Sequence, residues 1–289
     1  LGLARAGGLL PEPVEAGPAL ERAWQRAGDW RVSEVRHVDG GGTRVGALVT
    51  ARPDAPLSLE ARGEGDHGRH GPWISLRQTW SGDGMRVLVA DLDERWDGAS
   101  LRAASLRGVE ELAWELRVPV DEPRADGPPP PPVALSAGLQ DLGVVSRSAW
   151  GARATTCSGR EDDWYRMAVH HTAGTQTSGG SVAGAVRALQ AYSMDSAGYC
   201  DIPYQFLVGH DGSLWEARNL DYTSGATGGG NNDGNIAMSY LGCYTPSGCP
   251  GSSHAATDLM LAWSRLLAQT LATEHAFVTD SATVRAHRD

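Results

Sequence analysis

Two hydrophobic textures divide the chain. Across residues 30–118 apolar positions alternate with polar ones in short runs, separated by Asp-Gly and Gly-rich turns. A period of two is that of strands with one face buried. It predicts strands over 30–38, 43–51, 57–62, 72–80, 85–90 and 111–118. In the last of these Leu112, Trp114, Leu116 and Val118 share a face, with Glu and Arg on the other. Runs so spaced predict an antiparallel β-sandwich of about a hundred residues. The acidic run 91–97 lacks the spacing of a calcium loop and reads as a charged turn. Asp66-His-Gly-Arg-His reads as a solvated loop.

Beyond the middle of the chain the period lengthens. Val182, Ala185, Val186, Leu189 and Tyr192 recur at helical spacing behind Ser181, a good N-cap. A longer amphipathic helix is expected over 253–275, with Leu259, Met260, Trp263, Leu266, Leu267 and Leu271 towards the core. Short strands are expected over 166–171, 204–209, 214–217, 235–244 and 283–286. That mixture predicts an α/β unit, a mixed sheet flanked by helices. Between the two textures lies Gly-Pro-Pro-Pro-Pro-Pro, a polyproline spacer expected to hold two units apart. The domain reading is an N-terminal segment (1–25), an all-β sandwich (26–120), a Pro-rich linker (121–140) and an α/β domain (141–289).

Composition narrows the function. Thirty-five acidic residues against 25 basic ones give a formal net charge of −10, which excludes nucleic acid as the expected partner. Every basic residue is Arg, so a lysine nucleophile or base has no source in this sequence. No apolar run reaches membrane-span length, so the chain is not expected to span a membrane. Cys157, Cys200, Cys243 and Cys249 all fall in the second half, in loop-like contexts. Their even number fits one or two disulfides in an exported protein, and their spacing is not that of a zinc-finger array. The chain opens on Leu1 without a signal-peptide pattern, as a trimmed or mature form would.

The stretch with most chemistry is 166–174, a short strand that ends in two histidines and opens into a Gly/Thr/Ser-rich loop. Alternation puts Met167, Val169 and His171 on one side and Ala168, His170 and Thr172 on the other. Each imidazole carries polar nitrogens that must be matched, so a strand that only filled a core would not use two. A rigid strand end facing a cleft suits a metal ligand; taken alone, a satisfied structural His pair is an equal reading. There is no Gly-x-Ser-x-Gly, which removes the usual serine-hydrolase signature.

Four segments in order carry a family resemblance. They are Val145-Ser-Arg-Ser-Ala-Trp-Gly-Ala, Val169-His-His-Thr-Ala-Gly, Asp201-Ile-Pro-Tyr-Gln-Phe-Leu-Val and Ala286-His-Arg-Asp. Over residues 142–289 they closely resemble the peptidoglycan recognition protein and type-2 N-acetylmuramoyl-L-alanine amidase family. The resemblance implies a zinc hydrolase that cleaves the amide between N-acetylmuramic acid and the L-Ala of the stem peptide. Its alternative is a recognition protein that binds peptidoglycan without cleaving it.

By resemblance, His170 and His287 hold Zn2+, with a third ligand, Cys or Asp, beyond Asp289. Tyr204 points into the cleft as the oxyanion donor, and His171, Thr172, Tyr199 and Asn232 contact the muropeptide. Gly198-Tyr199 leans towards diaminopimelate-type stems, and Gly225-Ala226-Thr227 departs from the common Gly-Ala-His. The implied disulfides are Cys157–Cys200 and Cys243–Cys249. The partners implied are peptidoglycan and muropeptides, and the place is secreted or periplasmic, at a bacterial cell wall. For the β-sandwich the readings are wall or glycan attachment, or a packing spacer.

Overall fold

A computed structural model describes residues 13–14, 20, 23–127, 134–173, 181–228, 230–244 and 255–286. Alternation over the first half builds nine strands among the described residues: β1 (Pro13–Val14), β2 (Gln25–Ala27), β3 (Trp30–Val32), β4 (Arg36–Ala51), β5 (Leu59–Glu64), β6 (Ile74–Ser75), β7 (Arg77–Gly82), β8 (Met85–Ala103) and β9 (Val109–Arg117). They form one antiparallel sheet in the order β1-β9-β4-β8-β3-β2, with β5 and β7 also paired to β8, and β6 to β5. Leu59 and Ala61 of β5 and Leu112, Trp114 and Leu116 of β9 flank the central β4–β8 pair, yet all five enter one core. The sheet therefore curls around its own apolar face. The all-β expectation holds, and the two layers of the expected sandwich are two parts of a single curled sheet. Leu20 and Trp24 are buried in the same core.

One reading of this half is corrected. The acidic run 91–97 is not a turn but the middle of the 19-residue β8. Leu92 and Trp96 keep the inward positions while the charged residues between them face solvent. Trp96 lies against Gly42 across an irregularity in the β4–β8 pairing, which bends the long strand there.

The second half contains α1 (Ala137–Asp141), α2 (Arg147–Trp150), β10 (Arg166–His171), α3 (Val182–Ala191), β11 (Phe206–Val208), β12 (Leu214–Glu216), β13 (Asn235–Tyr240), α4 (Asp258–Glu274) and β14 (Val284–Ala286). Among the described residues its sheet has five strands in the order β12-β11-β13-β10-β14, with β10 parallel to both neighbours and only β12 antiparallel. Helices cover both faces. Met167, Phe206, Ile236 and Met238 meet Met260, Leu267 and Leu271 of α4 on one face. Leu207 and Ala237 meet Val186 and Leu189 of α3 on the other. This is the mixed sheet flanked by helices that the periodicities predicted.

The helix ends follow from capping. The Ser181 side chain accepts from Gly184 N at the start of α3, as expected. Helix α4 begins later than the sequence suggested, behind a Thr257 cap that accepts from Met260 N. Its buried stripe is Met260, Ser264, Leu267 and Leu271, whereas Leu259 and Leu266 are exposed. The expected core face was thus too wide by one row of the helix.

An extended spacer would keep the two units apart; instead they touch. Val87 and Val89 of β8 pack against Ala191 and Tyr192, where α3 passes into a π-helical turn (Tyr192–Ala197). The Tyr192 hydroxyl donates to Glu115 Oε1 at 2.6 Å, and Arg187 pairs with Asp83 at 2.6 Å. A Cβ on Gly46 would collide with the Ser196 side chain, so the glycine is what lets the π-helical turn sit on β4. The prolines at 128–132 lie outside the described residues.

Candidate functional site

Strand β10 is an interior strand, parallel to its neighbours, and open parallel sheets present ligand sites beyond the carboxyl ends of their strands. His170 and His171 occupy that end. His170 pairs in register with Ser239 of β13, is 8% exposed, and faces the α3 side of the sheet. Beside it lies Tyr204, 5% exposed, with the two ring centroids 5.3 Å apart and the planes tilted by 46°. The structure thus brings together an imidazole and a phenol that are separated by more than thirty positions in sequence. On the other edge of β10, β14 runs parallel with Val169 opposite Ala286. The residue after Ala286 is His287, which lies outside the described residues.

A buried polar network holds Asp201 and Ile202, in the segment that leads to Tyr204. Asp201, fully buried, pairs with Arg147 at 2.8 Å and accepts from Gln190 Nε2 and from Ile202 N, each at 2.8 Å. Arg147 itself is set by α2, whose Ser146 cap accepts from Ala149 N and whose Gly151 ends the helix at φ 75°. Its guanidinium also donates to the Ala217 carbonyl. Trp150 Nε1 donates to Glu216 O at 2.7 Å, and Glu216 Oε2 accepts from Arg147 N at 3.0 Å. Burial raises the Glu216 pKa against the pull of that hydrogen bond and of the Arg147 charge. The first and third motif segments are therefore one structural unit that presents Tyr204.

The other expected site residues divide. His171 faces away from Tyr204, towards the α4 side, where its Nδ1 accepts from Tyr244 N at 3.4 Å. Thr172 is buried, and its Oγ1 accepts from Gly242 N at 3.0 Å. Asn232 Oδ1 accepts from Thr227 N at 2.8 Å and from Ser224 Oγ at 3.0 Å, bracing the loop after Tyr222. Tyr199 is half-buried, and a Cβ on Gly225 would stand 3.2 Å from its ring. Burial holds its phenol above the ordinary value, against the stabilising charge of Arg117.

Cys157 and Cys200 form the expected disulfide. Cys243 is also disulfide-bonded, while Cys249 lies outside the described residues. Among the described residues, Glu122, Cys157 and Cys200 place ligand atoms within 4.8 Å of one another, a spacing that could hold a metal. Both sulfurs are spent in the disulfide, however, and a metal needs the thiolate. Sequence reading missed Arg218 and Glu122, a buried guanidinium and a partly buried carboxylate whose ion pair spans 96 positions. Arg147 and Asp201 stand within the first and third motifs, and their opposite charges in two separated motifs are the sequence signal for the pair.

Comparison with known proteins locates the chain. No family model matches it. Peptidoglycan recognition protein 1 of Bos indicus is 32% identical over 153 residues, which cover 52% of this chain and 76% of the bovine protein. The chain belongs to the peptidoglycan recognition protein family. Peptidoglycan-recognition protein SC2 of Drosophila simulans is 39% identical over 103 residues, or 35% of this chain. The chain spans about half the length of that relative, 55%. Among solved structures, human PGRP-Iβ-C in complex with glycosamyl muramyl pentapeptide is 27% identical, with a TM-score of 0.42 over 50% of this chain and 84% of that one. These relatives are animal proteins, and the bacterial placement expected from sequence finds no support among them. The disulfide does suggest an extracellular member of the family. Among the described residues no helix is long and apolar enough to cross a membrane.

Proposed function

We propose that the second domain binds peptidoglycan fragments at the carboxyl end of β10 and hydrolyses the amide between N-acetylmuramic acid and L-Ala. The observation that carries this reading is the pairing of buried His170 with Tyr204 at that strand end, 5.3 Å between ring centroids. His170 suits zinc: it is an imidazole on a rigid interior strand, and Ala286 of the adjoining strand directly precedes a second imidazole, His287, in sequence. In this reading His170 and His287 hold Zn2+. Bound zinc supplies Lewis acidity, polarising an amide carbonyl and acidifying water.

The chain's own residues do the rest. The Tyr204 hydroxyl donates to the oxygen that gains charge as the amide carbon becomes tetrahedral, a donor typically worth about 2.7–4 kcal/mol. The Arg147–Asp201 pair fixes where that hydroxyl stands before substrate arrives. Tyr199 offers an aromatic wall to the stem peptide, and Asn232 shapes the loop opposite it. His171 and Thr172 support the strand end from the protein side.

His170→Ala tests this reading. The variant should lose bound zinc by elemental analysis and lose hydrolysis, with its circular dichroism unchanged. Hydrolysis that survived in the zinc-free variant would refute the metal assignment.

A further inference from the structure

The segment 119–124 follows β9 but does not lead away from the molecule; it lies across the second domain. Val120 N donates to Ala197 O at 2.7 Å, and Arg124 donates to the carbonyls of Gly198 and Tyr199 at 3.0 and 3.2 Å. Gly198 sits at φ 87°, where a Cβ would stand 2.5 Å from Val120 O, so the strap fits only over glycine. Between these contacts Glu122 turns inward. Its two oxygens accept from the two terminal nitrogens of Arg218 at 2.8 and 3.0 Å, and Oε2 also accepts from Cys200 N at 2.8 Å.

Arg218 is 1% exposed and commits every nitrogen. Nε donates to Ile202 O at 2.8 Å, and the terminal nitrogens reach Thr223 O at 2.7 Å and Asp201 O at 3.3 Å. Its backbone N donates to Tyr204 O at 2.9 Å. The guanidinium thus grips the carbonyls two and three residues before Tyr204, and a carboxylate from outside the second domain balances its charge. A bidentate, charge-assisted pair fixes direction as well as distance.

We propose that Glu122 is a positioning residue for the second domain's site. Through Arg218 and Cys200 N it sets the turn that carries Tyr199 and Tyr204, so the first sheet and the strap after it are part of the site's framework. The inference rests on the reading of Tyr204 as part of the peptidoglycan cleft.

The test uses the full chain labelled with 3-fluorotyrosine, with the Tyr204 fluorine signal assigned by Tyr204→Phe. Glu122→Gln should shift or broaden that signal, and Glu122→Asp, which keeps the charge, should bring it back towards the parent. Asp83→Asn, which loosens a different interdomain ion pair, should leave it in place. Affinity for a muramyl tripeptide should fall in the same order, by roughly tenfold or more for Glu122→Gln, the scale of a misplaced site group. A folded Glu122→Gln variant with the parental Tyr204 signal and affinity would overturn the proposal. If that variant does not fold, the Glu122→Leu/Arg218→Met double variant leaves no charge buried alone. The parental signal in the folded double variant would overturn the proposal equally, and a displaced one supports it. A parent chain that bound no muramyl tripeptide would refute the cleft reading, while the Tyr204 signal would still decide the role of Glu122.

Discussion

At the scale of residues, function rests on how side chains are aimed. The His170 and Tyr204 rings meet on one side of the sheet, 5.3 Å between centroids, and the Arg147–Asp201 pair anchors the segment that leads to Tyr204. Removing only the phenol oxygen should therefore cost rate more than binding. Tyr204→Phe is expected to lower kcat by about 10²–10³-fold, as loss of one oxyanion donor does. Muramyl tripeptide affinity should stay within a few-fold, and a comparable loss of affinity would place Tyr204 in substrate binding instead. A second residue-scale expectation concerns pH. Burial raises the Glu115 carboxyl above its ordinary value of 4.5, outweighing the opposing pull of Arg117 and the Tyr192 hydrogen bond. The folded state then holds that proton more tightly than the unfolded state. The stability this gives is complete below the ordinary value and is lost as pH rises through the raised one. Glu115→Gln, which cannot ionise, should gain on the parent in melting temperature as pH is raised above 4.5. A difference that stays flat with pH would contradict the direction of the shift. His170 and Tyr204 were legible in the sequence because each stands in a short motif. Glu122 and Arg218 were not, because neither has a local pattern and only the folded chain joins them.

At the scale of elements, periodicity foretold most of the second domain. The turns and caps that bound its strands are local, and Ser181 caps α3 as read. Two errors have one physical source, the reading of polarity without its partner surface. The run 91–97 reads as a turn because it is charged, yet Leu92 and Trp96 keep it in the sheet. Leu259 and Leu266 read as core by spacing, yet the stripe that meets the sheet is Met260, Ser264, Leu267 and Leu271. The element with most local constraint is the loop closed by Cys157 and Cys200, 43 residues apart. The Cys157→Ser/Cys200→Ser variant is expected to lose about 2–5 kcal/mol of stability in chemical denaturation. Loss of less than about 1 kcal/mol, below that range, would show that the bridge does not constrain the unfolded chain.

At the scale of the whole molecule, two domains of different texture form a joined surface. The sequence pointed to a spacer, since a proline run reads as extension, but it carried no sign that α3 and its π-helical turn would lie on the first sheet. That contact depends on one residue without a side chain. Gly46→Val should drive Ser196 off β4, raise the radius of gyration in small-angle scattering and separate the melting of the two domains. An unchanged radius and a single transition would show that the interface absorbs the added volume. The account's central claim, amide hydrolysis at the His170–Tyr204 site, is tested most directly by digesting purified peptidoglycan with the full-length protein, with and without a zinc chelator, and reading the products by mass spectrometry. The account predicts chelator-sensitive release of intact stem peptides from glycan strands. Binding to the peptidoglycan with no release of stem peptides would contradict it and leave a protein that recognises the wall without cutting it.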